Sequence, residues 1–238
     1  MLWQLSPPDV PYHRATRHPL PCLLFLLPLL AAYEVGVAWI GSAGGETVRN
    51  GADAWLRWAL EDFGLNPLYG APVLVALVFV VWSVCRRADR PDDLVGVCLG
   101  MAIESVGFGL GLWGVSRALG PVFDALALNV SQEQAARVVT FVGAGIYEEL
   151  LFRLVLFSGL VGLLRLLYTP NFIAVPMAAV VSAAAFAAAH HVGPYGEPFD
   201  ECAFIFRAVA GLYFAALYQA RGFGIAVGAH ACYDVLVG

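Results

Sequence analysis

Long apolar runs, separated by short polar stretches, dominate the chain. The run from Leu20 to Ile40 is long enough to cross about 30 Å at 1.5 Å per residue. Its length favours a retained anchor over a cleaved signal peptide, despite the small residues from Gly41 to Gly45. A second span runs from about Asn66 to Cys85 and stops at Arg86, Arg87 and Arg90; a third covers about Leu94 to Trp113. Between the first two, residues 46–63 mix Trp55, Leu56, Trp58, Leu60 and Phe63 with charges, which predicts an amphipathic interfacial helix or a partly ordered loop, with its tryptophans at headgroup depth. Ser131 and Gln134 have capping-box spacing, so a helix is predicted to start there and continue through Val138 to Leu167. Three more apolar stretches follow, at about Ile173–His191, Ala203–Gln219 and Phe223–Val237. The predicted fold is an all-α polytopic membrane bundle of about seven spans. Residues 1–130 supply the N-terminal spans and the interfacial segment, and 131–238 a second set of helices within the same membrane domain.

Composition supports lipid as the solvent. The 238 residues are 60% hydrophobic and 13% charged, against about 25% charged in a soluble domain. The net charge of −5 argues against a nucleic-acid partner. Cys22, Cys85, Cys98, Cys202 and Cys232 form no C-x-x-C pair, and most sit in apolar runs as small hydrophobes. All basic residues are Arg, and their positions place the N-terminus in the cytoplasm. Gly107, Gly109 and Gly111 in the third span would permit close helix contact.

Ionisable residues within such spans carry most of the information, because each costs roughly 2.5–3.5 kcal/mol at the bilayer centre. The richest cluster is Glu148-Glu149-Leu150-Leu151-Phe152-Arg153, near mid-depth of the fourth span. Glu149 and Arg153 are four apart and stack on one helix face, the acid N-terminal to the base. Glu148 points about 100° away and remains available for chemistry, unless all three form a buried ion network that holds the bundle together. Phe186 to His191 ends the fifth span with two imidazoles, of which His191 would lie at the water boundary. In the last span His230 and Asp234 are again four apart and can face one cavity. Glu34 and Glu104 have no basic partner four residues on, and read as helix-contact or cavity-lining residues.

In order, the three sites read E-E-x-x-x-R, F-x-x-x-H and H-x-x-x-D, each on its own apolar helix. Over about Val138 to Gly238 this resembles the CAAX protease and bacteriocin-processing family, the glutamic-type intramembrane proteases. The resemblance implies that Glu148 is the general base activating water, assisted by His190, and that His230 and residue 234 stabilise the oxyanion. Glu149, Arg153 and Phe186 would support them. Residue 234 is Asp here, where prenyl endopeptidases typically carry Asn. An ionised Asp donates no hydrogen bond, so Asp234 either is protonated or orients His230 and leaves the donor role to that ring; the second is preferred. The implied substrate is a membrane-associated protein or peptide, cleaved without a covalent intermediate and without a cofactor. The short chain and Arg-only basic set suggest a prokaryotic plasma membrane.

Two other readings compete. Glu148, His190 and His230 match a His₂Glu zinc set, although no H-E-x-x-H is present. A transporter or scaffold could use the same groups as a proton relay, although no internal repeat is visible.

Overall fold

In the computed structural model, residues 10–42, 49–118, 134–193 and 196–237 are described, and among them every regular element is helical. A short turn, α1 (Tyr12–Ala15), leads into α2 (Pro19–Ser42). Next come α3 (Gly51–Asp62), α4 (Pro67–Cys85) and α5 (Leu94–Ala118). α6 (Gln134–Glu149) runs without a break into a π-helical segment (Leu150–Phe157) and then α7 (Ser158–Leu166). α8 (Asn171–Ala189), α9 (Glu201–Arg221) and α10 (Phe223–Val237) complete the bundle. The capping-box position Ser131 lies outside the described residues.

Among the described residues five helices are long and apolar enough to cross a membrane: α2, α4, α5, α8 and α9. The other two predicted runs differ in form. One is the α6–π–α7 rod, and the other is the shorter apolar α10. Outward-facing apolar residues such as Ile103, Val95 and Phe172 are largely exposed, as expected where lipid covers the surface. The run from Leu20 is integral to the bundle, with Leu26, Leu30 and Tyr33 in the core.

α10 sits at the centre. It packs on α5 and α6, while α8 pairs with α9 and α2 with α4 and α6. Two glycines allow this approach. A methyl group on Gly145 would lie 2.8 Å from the Val227 carbonyl, and one on Gly109 would lie 2.9 Å from Cys232 Cβ. Each position therefore needs a residue without Cβ, as small-residue helix contacts in membranes do. Gly107 and Gly111, expected to act with Gly109, face open space; they lie on other sides of α5.

The segment after residue 46 forms a regular helix over Gly51–Asp62, yet its buried face is not the apolar one. Asp53 and Arg57 are buried alongside Ala52 and Leu60, whereas Trp58 is 45% exposed. The amphipathic pattern thus has a charged interior seam.

Candidate active site

Glu148 and Glu149 end the α-helical part of the rod, where the hydrogen-bond pattern widens to π. The absent side chain of Gly145, one turn earlier, brings α6 against α10 at this level. Glu148 therefore reaches His230 on α10 and His190 at the end of α8. Its Oε2 lies 3.8 Å from His230 Nε2 and 4.0 Å from His190 Nε2, and it has no hydrogen-bond partner within the protein. These separations exceed a direct hydrogen bond.

Glu149 points the other way and is fully buried with Arg153. The Arg153 Nε to Glu149 Oε2 distance is 3.2 Å, so the i,i+4 pair persists across the start of the π segment. Arg153 also donates from Nη2 to the Gly211 carbonyl at 3.2 Å, and its guanidinium lies 4.5 Å from the Phe186 ring centre and 5.6 Å from that of Phe214. Desolvating a guanidinium fully is costly unless charge, hydrogen bonds and aromatic faces surround it. Here Glu149 supplies the charge, the Gly211 carbonyl one hydrogen bond and two rings the aromatic faces, while Nε and Nη1 make no hydrogen bond.

Glu149 has a second partner that sequence spacing did not reveal. Its Oε1 accepts from His230 Nδ1 at 2.8 Å. The His230 ring is stacked on Phe214 at 4.5 Å and has Phe186 at 5.8 Å. Its Nε2 faces Asp234 Oδ2 at 3.4 Å. Glu149, on a neighbouring helix, thus fixes the Nδ1 side of the ring, and Asp234 stands near the nitrogen that also faces Glu148.

His190 Nδ1 donates to the Phe186 carbonyl at 2.9 Å. In the neutral ring this leaves the Nε2 lone pair directed towards Glu148. Phe186 braces the ring edge-on at 5.0 Å. His191 turns away: its Nδ1 donates to the Glu197 carbonyl at 3.1 Å, and its ring packs with Phe199 and Phe204. Glu148, His190, His230 and Asp234 form one cluster, supported by Glu149, Arg153 and Phe186; His191 belongs to the adjacent loop.

A second polar cluster adjoins the first. Asp53 accepts from Tyr33 Oη at 2.8 Å, Arg49 Nη1 at 2.9 Å and Arg57 Nε at 2.6 Å. Glu34 accepts from Arg57 Nη2 at 2.6 Å and from Tyr147 Oη at 3.1 Å. The pKa of Arg49, which lies between spans, is raised: burial pulls it down, but Asp53 and then Glu34 outweigh that. The link to the site is Asn50, whose Nδ2 donates to Glu148 Oε1 at 2.8 Å. Glu34 and Glu104, which lack a base four residues on, find arginines from other helices; Glu104 pairs with Arg221 on α9.

The donor set fits zinc poorly. Bonds of 2.0–2.1 Å to a tetrahedral ion imply ligand atoms about 3.3 Å apart, and the Glu148–imidazole separations are 3.8 and 4.0 Å. Among the described residues no group of three or more His, Cys, Asp or Glu is arranged to hold a metal.

Residues 132–236 fit the family model described as Type II CAAX prenyl endopeptidase Rce1-like. No curated protein and no solved structure gives a significant match to the chain. The matched segment contains all three motifs, on helices within a bundle built to sit in lipid. It supports a CAAX-type intramembrane endopeptidase acting on a membrane-associated protein or peptide. Over residues 132–236, a little under half of its length, this chain is similar to the CAAX prenyl endopeptidase family.

Proposed function

We propose that the protein hydrolyses a peptide bond of a membrane-associated substrate with water activated by Glu148. The observation that carries this reading is the buried carboxylate oxygen Glu148 Oε2, which accepts no hydrogen bond from the protein, lying between two imidazole nitrogens at 3.8 and 4.0 Å. A water bound to Oε2 and to His190 Nε2 has an acceptor for each of its protons, which exposes an oxygen lone pair for attack. The attacking oxygen bonds to the scissile carbonyl carbon as its proton passes to Glu148. The carbonyl oxygen becomes an oxyanion. When the C–N bond breaks, the proton held by Glu148 goes to the leaving amine, so no covalent enzyme intermediate forms.

His230 serves the oxyanion from Nε2. Because its Nδ1–H is committed to Glu149, the ring donates from Nε2 only as an imidazolium. Glu149 and Asp234 flank the ring and supply its counter-charge, and Arg153 balances Glu149. Asp234 therefore acts as an orienting anion, and the oxyanion displaces it as the partner of Nε2. The Arg-only basic set favours the plasma membrane of a prokaryotic cell.

The test is paired terminal proteomics of membranes from cells carrying the wild-type chain or Glu148→Gln. At least one membrane-linked precursor is expected to accumulate only in the variant, at equal protein level. Identical termini in the two strains would overturn the reading.

A further inference from the structure

We infer that Asn50, an N-cap residue far from the motifs in sequence, is a positioning residue for Glu148 and holds it ready for proton transfer. The inference rests on the endopeptidase reading and adds a part to it. Asn50 begins α3, and its Oδ1 accepts from the Ala52 amide at 2.8 Å. That capping bond fixes which end of the side-chain amide is the carbonyl, so the NH₂ end must face the other way. There it meets Glu148 Oε1 at 2.8 Å, in a buried bond that bridges 98 positions of sequence.

The backbone of Asn50 is held as well. Its N–H donates to Tyr33 Oη at 3.2 Å, and that hydroxyl in turn donates to Asp53. Asp53 is clamped by Arg49 and Arg57, and Arg57 also donates to the carbonyls of Pro67 at 2.5 Å and Leu68 at 2.7 Å. The cap amide is thus built into a rigid ionic seam between α2, α3 and α4. Its NH₂ group donates to one oxygen of Glu148 and leaves the other to the imidazoles. A carboxylate free to rotate would present either oxygen to His190 and His230. One anchored through Oε1 presents Oε2 only, and such preorganisation lowers the barrier of a proton-transfer step.

Asn66 provides a matched control. It caps α4 through the same bond, Oδ1 accepting from the Leu68 amide at 2.9 Å, but has no contact with the site. Ser is also a good N-cap, so Asn50→Ser retains the cap and removes the donor to Glu148.

The experiment uses the full chain in liposomes with a quenched, farnesylated peptide ending in a CAAX sequence. Asn50→Ser is expected to lower kcat about tenfold or more with KM little changed, as loss of a charge-assisted hydrogen bond in the reaction step requires. Asn50→Asp, which keeps the cap but faces Glu148 with a second carboxylate, is expected to fall further. Asn66→Ser is expected to match the wild type. Thermal denaturation of Asn50→Ser, Glu148→Ala and the double variant should show non-additive losses of Tm. Full kcat in Asn50→Ser, or a loss equal to that of Asn66→Ser, would overturn the inference by reducing Asn50 to a helix cap. Additive Tm losses would remove the hydrogen bond on which it stands. If the wild-type chain cleaves nothing, the endopeptidase reading fails first and the catalytic part of this inference fails with it; the Tm cycle then reports on the contact alone.

Discussion

The two buried polar clusters differ in how completely they are paired. Around α3, two carboxylates face two guanidiniums, and every oxygen of Glu34 and Asp53 has a donor from an arginine or a tyrosine. Around α6 and α10, three carboxylates share one guanidinium and two imidazoles; Glu149 Oε2 faces Arg153, whereas Glu148 Oε2 has neither a hydrogen bond nor a guanidinium against it. A saturated network has nothing to give to a substrate and serves as a clamp. An unsaturated one, buried at comparable cost, keeps a group available for reaction. Charge content alone does not separate the two, since both would register as costly ions in an apolar bundle.

The sharpest way to break this contrast is to remove one member from each cluster. His190→Ala is expected to cut turnover by about 10²–10⁴-fold, the usual contribution of a proton-transfer group, and to change Tm little, because His190 remains 24% exposed. Arg57→Leu should do the reverse. It leaves Asp53 and Glu34 short of charge and is expected to cost about 3–5 kcal/mol of stability, measured by denaturation in detergent, with less effect on turnover per folded molecule. If His190→Ala unfolds the protein, or Arg57→Leu leaves its stability intact, the distinction between clamp and reactive cluster fails.

Smaller effects test the packing that brings the reactive cluster together. Gly109→Ala is expected to destabilise by about 1–3 kcal/mol through overpacking against α10. Gly107→Ala, which faces open space, should be neutral or stabilising by up to about 1 kcal/mol. Equal Tm values for the two variants would contradict the close α5–α10 contact. Glu104→Gln is expected to change stability by less than about 1 kcal/mol, since its pair with Arg221 is partly exposed; a larger loss would show that this pair also belongs to a structural clamp.

Sequence spacing exposed the local half of this architecture. Glu149 with Arg153 and His230 with Asp234 are neighbours on single helices, so a repeat of four residues was sufficient to find them. Pairs between helices leave no such trace. Glu34 has its arginines 15 and 23 positions away, Glu104 has Arg221 117 away, and Glu148 has Asn50 98 away. Glu34 and Glu104 therefore have no partner within one turn of their own helices. For the same reason Glu149 read as a partner of Arg153 alone, although its other oxygen holds His230. The π segment also has no signature, because its run Leu150–Phe157, apolar apart from Arg153, continues the pattern of the helical turns on either side. Among the three glycines of α5, composition could not say which faced a neighbour; the answer required the position of α10.

The most direct test of the central claim is the cleavage rate of a quenched, farnesylated CAAX peptide by purified protein in liposomes, comparing wild type with Glu148→Gln. The substitution preserves shape and the acceptor for Asn50 but cannot take a proton from water. The account predicts a loss of kcat/KM of roughly 10³-fold or more at unchanged Tm. A variant that cleaves within tenfold of the wild type would contradict it.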